Sequence, residues 1–76
     1  MLKELLIFIA QSLVEDPDSV RVEEEDREGV IVFKLSVAPD DVGRVIGKQG
    51  RIAKAIRTVM KSTANRKGQR VEVEII

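Results

Sequence analysis

The chain contains no cysteine, histidine, tryptophan or tyrosine, and its only aromatics are two phenylalanines. Without cysteine, neither a disulfide nor a thiolate-held metal can staple the fold, and without histidine the common zinc sites are excluded. The usual general bases and strong nucleophiles go with them. Carboxylates remain, but they sit in runs at turns and strand edges, so the sequence points away from an enzyme, a metal site or a cofactor. Phe8 and Phe33 both fall in apolar registers, which disfavours readers that stack bases on aromatic platforms. No stretch approaches the roughly 18 apolar residues of a membrane span. The apolar run Leu5 to Ala10 is shorter than a secretory core, and its spacing continues through Leu13. The expectation is a soluble cytoplasmic domain.

A length of 76 residues predicts one small domain, residues 1–76. A chain of this size buries only about 60% of its unfolded surface. A core of that kind rarely supplies more than about 3–5 kcal/mol. The 13 basic and 13 acidic residues cancel, yet they are unevenly placed. Residues 1–42 carry four basic and eleven acidic groups, a balance of −7, and residues 72–76 carry −2. Between them, residues 43–71 carry nine Lys or Arg and no Asp or Glu. One face of the fold should attract a polyanion while the rest repels it.

Leu2, Leu5, Leu6, Ile9 and Leu13 have the spacing of an amphipathic helix, ended by Asp16-Pro17-Asp18-Ser19. Ile7 and Phe8 fall off the main apolar arc and read as the widening of a buried stripe. Val20 and Val22 begin a strand that runs into Glu23 to Asp26, and the acidic run at 23–28 reads as keeping an edge strand soluble and unpaired. Arg27-Glu28-Gly29 supplies a turn. Ile31, Phe33, Leu35 and Val37 then alternate with Val32, Lys34 and Ser36, the clearest strand in the chain. Pro39-Asp40-Asp41 opens a short helix, with Asp40 as its N-cap and Asp41 favourable to the dipole. A longer helix runs from about Arg51 to Arg66, closed by Gly68. On it, Ile52, Ile56, Val59, Met60 and Thr63 share one arc and Arg51, Lys54, Thr58 and Lys61 another. Val71, Val73 and Ile75 alternate with Glu72, Glu74 and Ile76 as a last strand.

The order is helix, strand, strand, short helix, helix, strand. The 30–37 and 70–76 strands are joined by a helical crossover and should be parallel, while 20–26 pairs antiparallel with 30–37. This predicts an α+β fold with a three-stranded mixed sheet and three helices on one face.

Gly47-Lys48-Gln49-Gly50, between Val45-Ile46 and Ile52-Ala53, is the most informative segment. Two glycines separated by two polar residues make a tight loop that a sugar–phosphate backbone can approach closely. The helix beginning at Arg51 turns its unpaired amides toward such a ligand. Lys48 adds a mobile charge, Gln49 an amide donor, Arg44 and Arg51 flank the loop, and Lys54 lies nearly one turn further along. A P-loop is excluded, because Gly43 and Gly47 are separated by three residues instead of four and Gln49, not Ser or Thr, follows Lys48.

The run from Val45 to Arg57 resembles the signature of the KH domain, and the helix–strand–strand prefix resembles its type II form, with order αββααβ. The whole chain is similar to the KhpA (YlqC) family of small bacterial single-KH proteins. The resemblance implies that the loop clamps about four nucleotides of a single strand. It implies a groove floored by Val45, Ile46, Ile52 and Ala55, although Ile46 and Ile52 could equally be core. The opposite wall would be the last strand with Arg66-Lys67-Gly68-Gln69-Arg70. RNA and single-stranded DNA both fit. The resemblance further implies an RNA chaperone or post-transcriptional regulator acting as a homodimer or with an RNA-binding protein of the KhpB (Jag) type. The rival reading is a protein-interaction module with a KH fold and little RNA affinity of its own.

Overall fold

Leu2, Leu6 and Ala10 recur at every fourth position of helix α1 (Leu2–Leu13), and Ile56, Met60 and Ala64 do the same in α3 (Arg51–Arg66). All six are buried. Such rows form ridges that let two helices pack against each other and against a common sheet. In the computed structural model, which describes residues 1–76, they close over one face of a three-stranded sheet. Strand β1 (Arg21–Arg27) pairs antiparallel with β2 (Val30–Ser36), and β2 pairs parallel with β3 (Arg70–Ile75). The short helix α2 (Val42–Ile46) packs against both α1 and α3. The architecture is the α+β, αββααβ arrangement expected of a type II KH fold.

Alternation on β2 decides the two sheet faces. Phe33 and Leu35 point inward beside Val22, Val73 and Val71, and all five are buried in the central cluster. Val32 points to the opposite face, which no helix covers, yet it is only 2% exposed. Its roof is ionic. Arg27 on β1 reaches across β2 to Glu74 on β3 at 3.3 Å, and Lys34 meets Glu25 at 3.1 Å. Arg27 also pairs with Glu25, so aliphatic stems and paired heads lie over Val32. The Arg27 guanidinium, with Lys34 second, holds the Glu25 carboxyl down to about 2.

Local chemistry closes the elements. Glu28 (φ +54) and Gly29 (φ +86) form a two-residue turn with both central φ values positive, which matches the twist of the β1–β2 hairpin. Asp26 Oδ1 accepts the Gly29 amide at 3.0 Å. At the end of α3, Gly68 (φ +70) donates to Asn65 at 3.0 Å and Gln69 to Ala64 at 2.9 Å. This is the paired closure that a left-handed glycine allows.

Two expectations, on Phe8 and on Asp40, need correction, and one arc reaches further than the core. Phe8 is 68% exposed, so it does not widen the buried stripe; Ile7 is half-buried. Val59 is 44% exposed, so the apolar arc of α3 extends beyond the core. Asp41, not Asp40, occupies the N-cap position of α2, and its side chain does not cap the helix. It is only 3% exposed, and its two oxygens accept the amides of Glu15 at 3.2 Å and Asp16 at 3.1 Å. A buried carboxylate is tolerable only when its lone pairs are filled, and these amides with Arg44 Nε at 3.1 Å fill them. The bond set ties the chain leaving α1 to the start of α2, and so fixes the base from which the glycine loop projects.

Candidate nucleic-acid interface

The loop between α2 and α3 is shaped by three residues with positive φ. Gly47 (φ +75, ψ 173) lies in a region essentially reserved for glycine, while Gln49 (φ +59, ψ 26) and Gly50 (φ +73, ψ 15) are left-handed. Gly47 donates back to Gly43 at 2.8 Å and closes α2; Gly50 donates to Gly47 at 3.1 Å. No turn hydrogen bond spans Gly47, so the Lys48 and Gln49 amides are unpaired at an exposed tip. A non-glycine residue held left-handed costs about 1–2 kcal/mol. At Gln49 that strain accompanies two free donors, the arrangement that suits an anionic ligand.

Charge around the loop is unopposed. Of the nine cations between residues 43 and 71, only Arg44 has a carboxylate within ion-pair distance. Arg44 is held by Asp41 and by Glu15, which makes it an internal latch with half its surface still exposed. Lys48, Arg51, Lys54, Arg57, Lys61, Arg66, Lys67 and Arg70 are all exposed and unpaired.

Helix α3 sorts these groups onto two flanks. Lys54, Arg57 and Lys61 recur at i, i+3 and i+7, a stripe that helix geometry places on one side. That side faces β3, because Arg57 Nε donates to the Val73 carbonyl at 3.1 Å. The seam continues past Lys61 and Asn65 to Gln69 and Arg70, where Glu72 also lines the surface. On the other flank, Ile52, Ala55, Ile56 and Val59 meet Ile9 and Leu13 of α1 in an almost wholly apolar groove of about 360 Å³, with Arg51 at its mouth.

Of the twelve expected contact residues, Arg44 is the latch just described, and the other eleven are distributed as follows. Gly47, Lys48, Gln49 and Gly50 form the loop, Arg51 stands beside it, and Lys54 and Arg70 lie on the β3 seam. Ile46 is 36% exposed next to the loop. Val45 is fully buried and supports the loop from below, so it does not line a groove. Ile52 and Ala55 line the apolar flank, away from the basic stripe. Arg57 and Lys61 were legible as cations but not as seam residues, because only the contact with Val73 shows which way their stripe faces. The i, i+3, i+7 recurrence of Lys54, Arg57 and Lys61 was the available signal.

Comparison with known proteins adds to this geometry. The profile of the family described as "KhpA/KhpB, KH domain" matches residues 3–75. The RNA-binding protein KhpA of Clostridium acetobutylicum is 59% identical over 75 residues, 99% of this chain and 100% of that protein. The KhpA proteins of Clostridium perfringens and Chlamydia pneumoniae are 55% and 45% identical, each over 99% of this chain and 100% and 96% of their own lengths. Among solved structures, Aquifex aeolicus Era superposes with a TM-score of 0.70 at 22% identity over 97% of this chain and 29% of Era. An Era complex with MgGDPNP and nucleotides of 16S ribosomal RNA gives 0.69 at 22% identity over 97% and 28%. At that identity the likeness shows the fold alone.

Proposed function

The chain belongs to the KhpA/KhpB KH-domain family, and from that premise we propose that it binds single-stranded RNA through the Gly47–Gly50 loop and the basic seam between α3 and β3. The observation that carries the reading is the coincidence of two unpaired amides at Lys48 and Gln49 with eight unpaired cations on the same segment. Phosphates supply most of the affinity in such contacts, and unpaired cations beside free backbone donors are what a phosphate chain requires. Most carboxylates that could compete are held elsewhere, since Glu25 and Glu74 lie in the outer-face network and Asp41 is buried; Glu72 alone lines the far end of the seam beside Arg70. The role is that of a binding protein, an RNA chaperone or post-transcriptional regulator, and not of a catalyst.

A second observation favours partnership. The apolar groove along Ile9, Leu13, Ile52, Ala55 and Val59 is open to solvent on a protein of 8.5 kDa. Contiguous exposed apolar surface of this kind marks interaction sites. We read it as the contact for a second copy or for a KhpB (Jag)-type partner.

The test replaces Lys48 and Gln49 by Asp and leaves both glycines. Fluorescence anisotropy with a labelled single-stranded RNA should show at least a tenfold loss of affinity, with circular dichroism and mass unchanged. Wild-type binding should fall with salt at a log–log slope of about −2 to −3, from roughly 0.7 per phosphate over three or four contacts. Unchanged binding in a folded variant excludes the loop as the clamp. Loss of oligomerisation in its place makes the loop part of the partner surface.

A further inference from the structure

Arg44 alone among the cations between residues 43 and 71 is neutralised within the chain, and its two partners hold it in different ways. Its Nε lies 3.1 Å from Asp41 Oδ1, and Asp41 is buried with both oxygens accepting backbone amides. That contact is part of the fold. One terminal nitrogen, Nη2, donates to the Glu15 carboxylate, which is 73% exposed. The other, Nη1, has no partner. The outer edge of the guanidinium is therefore held only by an exposed carboxylate that solvent or a ligand can replace.

Glu15 is not a chance neighbour. Its own amide donates to Asp41 Oδ1 at 3.2 Å, the same oxygen that faces Arg44 Nε. The buried carboxylate thus gathers Glu15 and Arg44 onto one centre. Asp16 and Asp40 line the same surface hollow, so the guanidinium rests among four acidic residues. Arg44 also stands three residues before Gly47, about 4.5 Å along the axis of α2. A phosphate at the free Lys48 and Gln49 amides lies within reach of its side chain. A guanidinium oriented at Nε turns its two terminal nitrogens outward as a pair, the geometry that phosphate oxygens take. A carboxylate, with two oxygens and a negative charge, is the protein's own counterpart of that ligand.

We propose that Glu15 is an internal competitor for the RNA: its carboxylate holds the outer edge of Arg44 in the free protein, and a phosphate of the bound strand must displace it. Asp41 keeps the guanidinium oriented through the exchange. Glu15 thereby lowers the affinity of the loop. This inference rests on the RNA reading above and adds to it a residue outside the basic segment that sets how tightly the loop holds.

The experiment measures anisotropy of a labelled mixed-sequence RNA hexamer with wild type, Glu15→Gln, Arg44→Gln, the double variant and Asp18→Asn. Glu15→Gln keeps the shape of the side chain and removes its charge. Release of an exposed ion pair should raise affinity by roughly two- to five-fold at low salt. Asp18 is an exposed carboxylate of the same segment with no cation partner, so Asp18→Asn reports the effect of losing a charge in general and should bind much as wild type does. Arg44→Gln should bind more weakly than wild type, and in its background Glu15→Gln should bring no further gain. Thermal unfolding checks each variant. A purely structural Glu15 would lose stability and affinity together, the opposite sign. If Arg44→Gln does not fold, the comparison of Glu15→Gln with Asp18→Asn decides alone. The proposal is overturned if Glu15→Gln binds no tighter than wild type or than Asp18→Asn, or if its gain persists without Arg44. Such a result beside firm wild-type binding leaves the RNA reading standing, whereas binding by none of the proteins removes both.

Discussion

Ile52 occupies the space that a side chain on Gly47 would need. A Cβ built on Gly47 falls 2.6 Å from Ile52 Cγ1 and 2.8 Å from Ile52 Cβ, closer than such atoms can stand. The first turn of α3 thus folds back onto the first residue of the loop. The sharp reversal between α2 and α3 is a packing relationship as well as a backbone one.

The two glycines should therefore respond differently. At Gly47 any side chain meets both a glycine-only backbone region and the fixed Cβ of Ile52, whereas a Cβ on Gly50 finds nothing within 4 Å. Gly50→Ala carries only the left-handed penalty, about 1–2 kcal/mol. Gly47→Ala adds the clash, for a total of about 3 kcal/mol or more, most of the stability of a domain this small. Urea unfolding of the two variants measures the difference, and equal losses would show that Ile52 does not constrain the loop.

Glu25 sets an acid dependence on the outer face of the sheet. Its folded pKa, about 2, lies below the ordinary value of 4.5. For a carboxyl lowered in this way, the stabilisation is fully present above the unfolded pKa and disappears as pH falls through the folded one. Stability should decline between about pH 4.5 and 2, and Glu25→Gln should remove that part of the decline. The group is exposed and its pairs are screened, so 1 M salt should flatten the effect. Unfolding midpoints at several pH values, with and without salt, check it; a Glu25→Gln profile identical to wild type would discard the assignment.

Val59 is the test of the apolar flank. Val59→Asp places a charge in the centre of the groove without entering the core or touching the seam. If the groove joins two copies as proposed, light scattering should show a wild-type mass above 8.5 kDa that falls to the monomer value in the variant. Short-oligonucleotide affinity per chain should stay within about twofold, since the loop and seam lie on the other flank. A mass equal to wild type would mean that this flank is not the contact.

Much of the fold was legible because burial leaves a periodic record. The alternation from Ile31 to Leu35 marked the central strand, and Gly68 marked the end of α3 through a backbone closure that glycine favours. The glycine loop was legible for the same reason, as its conformation restricts which residues can occupy it. Asp41 was not, because its partners are backbone amides 25 and 26 residues away, and amides carry no sequence signature. The pairing of Arg44 was not legible either, because Glu15 comes from another element and Asp41, three residues away, faces it only through the burial that the same amides impose. Ile52 and Ala55 showed a helical phase, but phase alone does not say which neighbour a flank will meet. That was decided by where α1 and β3 docked.

Because α3 carries a wet seam on one side and a dry groove on the other, pairing through the groove would leave both seams open. Two copies joined in this way would present two short tracks to one strand. The second would then bind at the local concentration set by the first, a gain that comes from linkage and needs no new contact. Such an assembly would distinguish RNAs by length: a tetranucleotide fills one track, and only a strand long enough to pass between the tracks would feel both. Lengthening the RNA would therefore raise affinity in a step, and the step would vanish wherever the dry side of α3 is broken.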